Sequence, residues 1–118
     1  MMAGNRHVGE GPMTEELTKI LKETGLPFAY SHFAEGEAPE PPFICYLIPS
    51  SDNFAADGMA YHNKDNVHIE LYTDRKDTAA EEKVTAALDA HGIFYDQTET
   101  WIGSERLYET VFTFQMRR

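Results

Sequence analysis

The chain has 118 residues, of which 42% are hydrophobic and 12% aromatic, a composition typical of a folded globular protein rather than a disordered one. Twenty acidic residues stand against ten basic ones, and the formal charge of −10 disfavours binding to nucleic acids or to anionic membranes. No stretch approaches the roughly 20 apolar residues of a membrane-spanning helix, and the N-terminus lacks the apolar core of a signal peptide. The sequence therefore predicts a single domain that neither spans a membrane nor is exported with a signal peptide.

The first residues of the chain differ in composition from the rest. Residues 1–12 contain three glycines and a proline without hydrophobic periodicity, which predicts a flexible leader. The folded domain is expected to span residues 13–118. A first helix is expected to begin at Thr14, a good N-cap, and to end at Gly25, because apolar residues recur between them at helical spacing.

Two or three strands are expected between this helix and a second one. The aromatic-rich residues 28–33 predict a first strand, and the apolar run of residues 43–48 predicts a central strand that closes at Pro49. Residues 34–42 between them are rich in proline and glutamate, which indicates a stiff, solvated connection. Residues 59–61 fit a further short strand, and the alternation of apolar and polar side chains predicts a strand at 67–72.

A second helix and two more strands complete the predicted elements. The helix is expected at Thr78, because Thr78 and Glu81 have the spacing of a capping box, and Gly92 is a typical stop. Strand character resumes at residues 93–95 and continues to residue 102, and a turn leads into a last strand at 107–116. The face of this last strand that is expected to be buried comprises Tyr108, Thr110, Phe112, Phe114 and Met116.

The predicted order is therefore helix, three strands, helix and two strands. This order is typical of the α+β class, with an antiparallel or mixed sheet of about five strands and two helices packed on one face. The order of the strands within the sheet is left open by the sequence.

Residues that could carry chemistry are scattered along the chain. The only cysteine, Cys45, lies in an apolar run, which predicts a buried, inert thiol and excludes an internal disulfide. His68 and Glu70 share a strand face and could present two metal ligands, although alternating polar residues usually form the solvent side of a sheet. Four aspartates are expected at loop or cap positions: Asp57, Asp74, Asp77 and Asp96. With no phosphate loop, nucleophile elbow or Cys–His arrangement, the sequence predicts no catalytic residue, no metal and no cofactor.

Several stretches of the sequence carry a resemblance, namely residues 24–33, 41–46, 51–57, 68–74, 92–95, 101–102 and 105–108. Together they resemble small proteins from the head–tail region of long-tailed bacteriophages and prophages, described as tail completion, tail terminator or head–tail joining proteins. Such proteins are small α+β subunits that close into rings, commonly hexamers, at the end of the tail tube or under the connector. The resemblance implies a structural role in the virion after assembly in the host cytoplasm, with no cofactor and no reaction.

A ring subunit needs interfaces to its neighbours, and aromatic side chains commonly anchor interfaces. Phe54, Tyr61 and Trp101 are the candidate interface residues, with ordinary core packing as the alternative for each. The expected partners are further copies of the chain and the neighbouring tail tube or connector proteins. The competing hypotheses are a small peptide- or protein-binding module, monomeric until bound, and a metal-dependent enzyme that uses His68 with Glu70.

Overall fold

The computed structural model describes residues 14–51 and 64–117, which form two helices and one five-stranded mixed sheet. The elements are α1 (Thr14–Thr24), β1 (Phe28–Tyr30), β2 (Phe43–Ser51), β3 (Lys64–Thr73), α2 (Thr78–Ala90), β4 (Asp96–Ile102) and β5 (Leu107–Arg117). The predicted α+β class and the predicted element order are confirmed. The predicted leader at residues 1–12 and the short strand at 59–61 lie outside the described residues.

The strands are arranged in the order β1-β2-β3-β5-β4. β1 runs parallel to β2, and every other neighbouring pair is antiparallel. The longest strands, β3 and β5, lie side by side in the middle of the sheet, and α2 and β4 come between them in the chain. The two edges of the sheet are β1, with three residues, and β4, with seven.

The hydrophobic core lies between one face of the sheet and the two helices. Alternate residues of β3 and β5 face the helices, and Ile69 stands opposite Phe112 in the register with neither side chain exposed. The helices contribute a buried stripe comprising Leu17, Ile20, Leu21, Ala80, Val84, Ala87 and Leu88. Burying each large side chain contributes roughly 1.5–3 kcal/mol, so this layer accounts for much of the stability.

The predicted inner face of β5 is confirmed, with one position that differs. Thr110, Phe112, Phe114 and Met116 are buried, whereas Tyr108 is only half-buried. The ring of Tyr108 packs against Trp101, which is itself half-exposed on the edge strand β4, so the cover over Tyr108 is incomplete.

The first residue of α2 is preceded by an aspartate that caps the helix. The Asp77 carboxylate accepts a hydrogen bond of 3.0 Å from the backbone N–H of Ala80, and Thr78 is the first helical residue. The predicted Thr78–Glu81 capping box is therefore wrong, while the cap position predicted for Asp77 is confirmed. A carboxylate forms a charge-assisted bond and interacts favourably with the positive end of the helix dipole, which favours Asp77 over the hydroxyl that follows it.

β1 and β2 differ in length from the prediction. β1 ends at Tyr30 rather than at residue 33, because Ser31 turns the chain with a φ of 69°. β2 continues past Pro49 to Ser51, with a register shift between Leu47 and Ser50. Proline lacks the N–H that a regular ladder needs, and a bulge is one of the few places within a sheet where it is tolerated.

The predicted strand at residues 93–95 is wrong, and β4 begins only at Asp96. The reason lies at the end of α2, where Gly92 adopts a φ of 69° and the N–H of Ile93 bonds to the carbonyl of Leu88. This C-cap uses the backbone group that Ile93 would need in a sheet, so the apolar residues become a connection and the polar residues that follow form the strand.

Candidate assembly surface

The outer strand β4 presents an open edge. It pairs with β5 on one side, and no other described strand pairs with its opposite side. All of its residues except Ile102 are exposed. The unpaired N–H and C=O groups of such an edge are a template for pairing with another chain, although charged side chains such as Glu99 restrict which chain can approach.

Immediately before β4, Phe94 projects into solvent with 94% of its surface exposed. Its two neighbours, Ile93 and Tyr95, are half-buried and pack against the core, and the Tyr95 ring meets Phe112 edge-on at 5.8 Å. Because both neighbours are anchored inward, the benzyl group between them is held outward. Its exposure is therefore a consequence of how the connection is anchored, and covering it would contribute roughly 2–3 kcal/mol to a complex.

A surface groove lies beside Phe94. Its volume is about 460 Å³, and its walls are the connection from α2 to β4 on one side and the end of β5 on the other. The lining residues are Gly92, Ile93, Phe94, Tyr95, Asp96, Thr113, Phe114 and Gln115. A groove of this size next to an open strand edge can accommodate side chains of an added segment.

Trp101 lies near the other end of β4 and is 51% exposed. Its indole packs against the ring of Tyr108 with the centroids 4.8 Å apart and the ring planes tilted by 56°. Of the predicted interface residues, Trp101 alone lies within the described part of the chain, since Phe54 and Tyr61 lie outside it. The outer strand thus combines an exposed aromatic residue near each end.

Sequence reasoning missed Phe94, which it assigned to a strand. The signal that could have found it is the glycine stop of α2, since the residue after an αL glycine donates its N–H back to the helix. Ile93 is then fixed inward, and the alternation places Phe94 outward and Tyr95 inward.

The opposite edge of the sheet is smaller. Tyr30 in β1 is 43% exposed, and its ring packs edge-on against Tyr46 at 5.3 Å. β1 offers three residues for pairing, so it is a much shorter edge than β4. The two edges of the sheet are therefore unlike in length and in surroundings.

His68 and Glu70, the residues considered for a metal or enzyme site, share the sheet face that points away from the helices. The hydroxyl of Tyr72 on the same face lies 3.0 Å from Glu70 and 2.9 Å from Glu109 of β5. In residues 14–51 and 64–117, no three His, Cys, Asp or Glu side chains are grouped so that they could hold a metal ion. The structure thus brings the acids of this face together around a tyrosine.

Cys45 is buried on this same face, with 6% of its surface exposed, as expected. Burial, and then the negative charge of Glu70, raises the pKa of its thiol to about 11. Part of the cover comes from the segment between β1 and β2, where the ring of Phe33 packs edge-on against Phe43 at 5.5 Å. A thiol that stays protonated is a poor nucleophile and a poor metal ligand.

Neither described helix is long and apolar enough to cross a membrane. Comparison with known protein families, with curated proteins and with solved structures finds no match for this chain.

Proposed function

We propose that this chain is a structural protein of a long-tailed phage or prophage, which joins or terminates the tail by forming a homo-oligomeric ring at the head–tail interface. The phage assignment rests on the resemblance carried by the stretches between residues 24 and 108. The observation that carries the assembly role is the 94% exposure of Phe94 beside an unpaired strand edge. A large apolar side chain, a groove and an open edge in one place are typical of a surface that a protein partner covers.

The unlike edges of the sheet support a ring. Contact between the β4 edge of one subunit and a different surface of the next is heterologous, and repeated heterologous contacts close into a ring when the rotation allows it. In this role the chain binds copies of itself and the adjacent tail tube or connector proteins. It would act in the virion after assembly in the host cytoplasm, without a cofactor or a reaction.

A small peptide-binding module is the second candidate, and the groove lined by residues 92–96 and 113–115 favours it. An extended peptide could add to the β4 edge while its side chains enter the groove. Such a module would be monomeric until its peptide arrived. Oligomeric state therefore separates the two candidates.

The test is the mass of the full chain by light scattering after size exclusion, at several protein concentrations, for the unmodified protein and for Phe94→Ser. A discrete oligomer that dissociates in Phe94→Ser is the expected result, because the serine removes the apolar contact without touching the core. Lys83→Ala, on the exposed side of α2, is the matched control and should leave the mass unchanged.

A monomer at every concentration moves the test to purified tail tube from a long-tailed phage. Binding of the unmodified chain and loss of binding in Phe94→Ser would support assembly on a template. A monomer that binds no tail tube, with Phe94→Ser behaving like the unmodified protein, would contradict the proposal.

A further inference from the structure

A tyrosine joins two glutamates across the central pair of strands. Tyr72 of β3 stands opposite Glu109 of β5 in the register, and Glu70 lies two residues earlier on the same face of β3. The Tyr72 hydroxyl oxygen lies 3.0 Å from Oε1 of Glu70 and 2.9 Å from Oε2 of Glu109. Both distances are normal for hydrogen bonds between oxygen atoms.

The number of protons shared by Glu70, Tyr72 and Glu109 determines which hydrogen bonds can form among them. A phenol has one hydroxyl proton, so Tyr72 can donate to only one of the two carboxyl groups. An ionised carboxylate has no proton to donate. If both glutamates were ionised, the carboxylate that does not accept the phenol proton would place its lone pairs against those of the phenol oxygen. The second contact is a hydrogen bond only when that carboxyl group carries a proton and donates it to the phenol oxygen.

We propose that Glu70, Tyr72 and Glu109 hold two protons between them, in a carboxyl–phenol–carboxylate chain that links the two central strands and keeps one glutamate neutral. Each contact is then a hydrogen bond with one donor and one acceptor. The inference concerns the sheet face that points away from the helices and does not depend on the proposed assembly role.

The surroundings of the cluster favour the neutral form. The ring of Phe43 stacks on Tyr72 with the centroids 5.3 Å apart, and Phe33 packs on Phe43 from the connecting segment. Tyr72 is half-buried, and the ring of Phe43 shields one side of it from water. Within the described residues, neither glutamate forms an ion pair with a lysine or an arginine.

The elements around the cluster carry several other titratable groups. β2 contributes the buried thiol of Cys45, β3 contributes His68, and the segment between β1 and β2 carries four exposed titratable residues: His32, Glu35, Glu37 and Glu40. His68, two residues before Glu70 on the same face of β3, is a neighbour that lowers the pKa of Glu70. Burial of Glu70 outweighs the opposing effect of this histidine, which leaves the balance on the side of proton uptake.

Burial raises the pKa of Glu70, the hydrogen bond from Tyr72 lowers it, Glu109 raises it and His68 lowers it, with a net rise. Burial, followed by the contact with Glu109, raises the pKa of the Tyr72 phenol, which therefore keeps its own proton. Glu70 is accordingly the carboxyl group that we expect to hold the second proton. Because the folded state binds this proton more tightly than the unfolded state, its contribution to stability is present at low pH. It is lost as the pH rises through the folded pKa.

The test is a pH titration of the full chain labelled with ¹³C at the glutamate carboxyl carbons and followed by NMR. One resonance of the pair is expected to titrate at higher pH than a glutamate in a short peptide. Glu109→Gln should move the Glu70 midpoint to lower pH, since the new amide can donate to the phenol and free its proton for Glu70.

Simple repulsion between two carboxylates would give a shift of the same sign, so the phenol is tested separately. In the Tyr72→Phe background, the shift caused by Glu109→Gln is expected to shrink, whereas Tyr95→Phe should leave it unchanged. The unmodified chain decides the matter even if a variant fails to fold. The proposal is overturned if, in the unmodified chain, neither resonance of the pair titrates at higher pH than a glutamate in a short peptide. It is also overturned if Glu109→Gln shifts the Glu70 midpoint by the same amount in the Tyr72→Phe background.

Discussion

The side chain of Tyr46 is buried in the core although burying its hydroxyl group is unfavourable. Its ring is 2% exposed and meets Phe28 and Tyr30 edge-on, with centroids 6.2 and 5.3 Å away. Its hydroxyl is buried and forms no hydrogen bond with the described residues. Burial, and then Tyr30, raises the pKa of this phenol. An unpaired buried hydroxyl costs about 1–3 kcal/mol, which the packing of the ring must outweigh.

Tyr46→Phe is therefore expected to leave the free energy of unfolding unchanged or to raise it by up to about 1 kcal/mol, because it removes only the unpaired hydroxyl. Tyr46→Ala, which also removes the ring, should cost about 3–5 kcal/mol. Denaturant unfolding of the three proteins measures both effects. A loss of more than about 1 kcal/mol in Tyr46→Phe would show that the hydroxyl has a partner.

Single residues also show how far the sequence could predict the candidate site. Trp101 was predicted as an interface candidate from its residue type, and the structure places it half-exposed on an edge strand, which leaves its role a prediction. Phe94 was not predicted, because its exposure depends on a helix C-cap that fixes the residue before it. The contact of Tyr72 with two acids joins residues far apart in the chain and depends on a register that local patterns do not specify.

The two helices are joined at the surface by a histidine between two acids. His91, the C-cap of α2, has its Nδ1 atom 3.1 Å from Glu16 and its Nε2 atom 3.1 Å from Glu23, both on α1. A neutral imidazole has one N–H, so both contacts are hydrogen bonds only when the ring is protonated. The contact with Glu23 raises the pKa of His91 most, burial lowers it and the contact with Glu16 raises it, with a net rise.

This raised pKa predicts a pH dependence of stability. The contribution of His91 is fully present below its unfolded pKa of about 6.5 and is lost as the pH rises through its folded pKa. Solvent screens these half-exposed glutamates, so we expect about 0.5–1 kcal/mol. Urea unfolding of the unmodified protein and of His91→Gln, from about pH 5.5 to about pH 8.5, should give a difference that disappears at the alkaline end. A difference that does not change with pH would contradict the charged contact.

Helices and strands were predicted most accurately where one strong sequence pattern marks the element. Both helices follow from apolar residues at helical spacing and from glycine stops, and β3 follows from strict alternation. β4 was misplaced because its residues are polar and exposed, so no buried face marks it, and because the apolar residues before it serve the helix end. The order of the strands depends on contacts between distant segments and could not be predicted locally.

For the whole molecule, charge and apolar surface act in opposite directions on association. Each copy carries a formal charge of −10, so copies that approach one another repel. Burial of the exposed side chains of Phe94 and Trp101 in an interface favours association instead. Salt screens charges over about 10 Å at 0.1 M and leaves apolar contacts intact.

We therefore expect added sodium chloride, from about 0.02 M to about 0.3 M, to shift the chain from monomer towards oligomer. Light scattering at constant protein concentration measures the shift, and Phe94→Ser should reduce it. Dissociation on adding salt would indicate instead that ion pairs between subunits hold the assembly together.

The central position of β5 also has a consequence for folding. β5 is the last of the described strands in chain order, yet it lies between β3 and β4 and pairs with both. During synthesis on the ribosome, β3 is made before β5, and Val67 and Ile69 remain without their register partners Phe114 and Phe112 until β5 has been made. Pairing between such distant segments is slow, and unpaired apolar strands are prone to aggregate. We therefore expect the unfinished chain to be prone to aggregation between the synthesis of β3 and the arrival of β5.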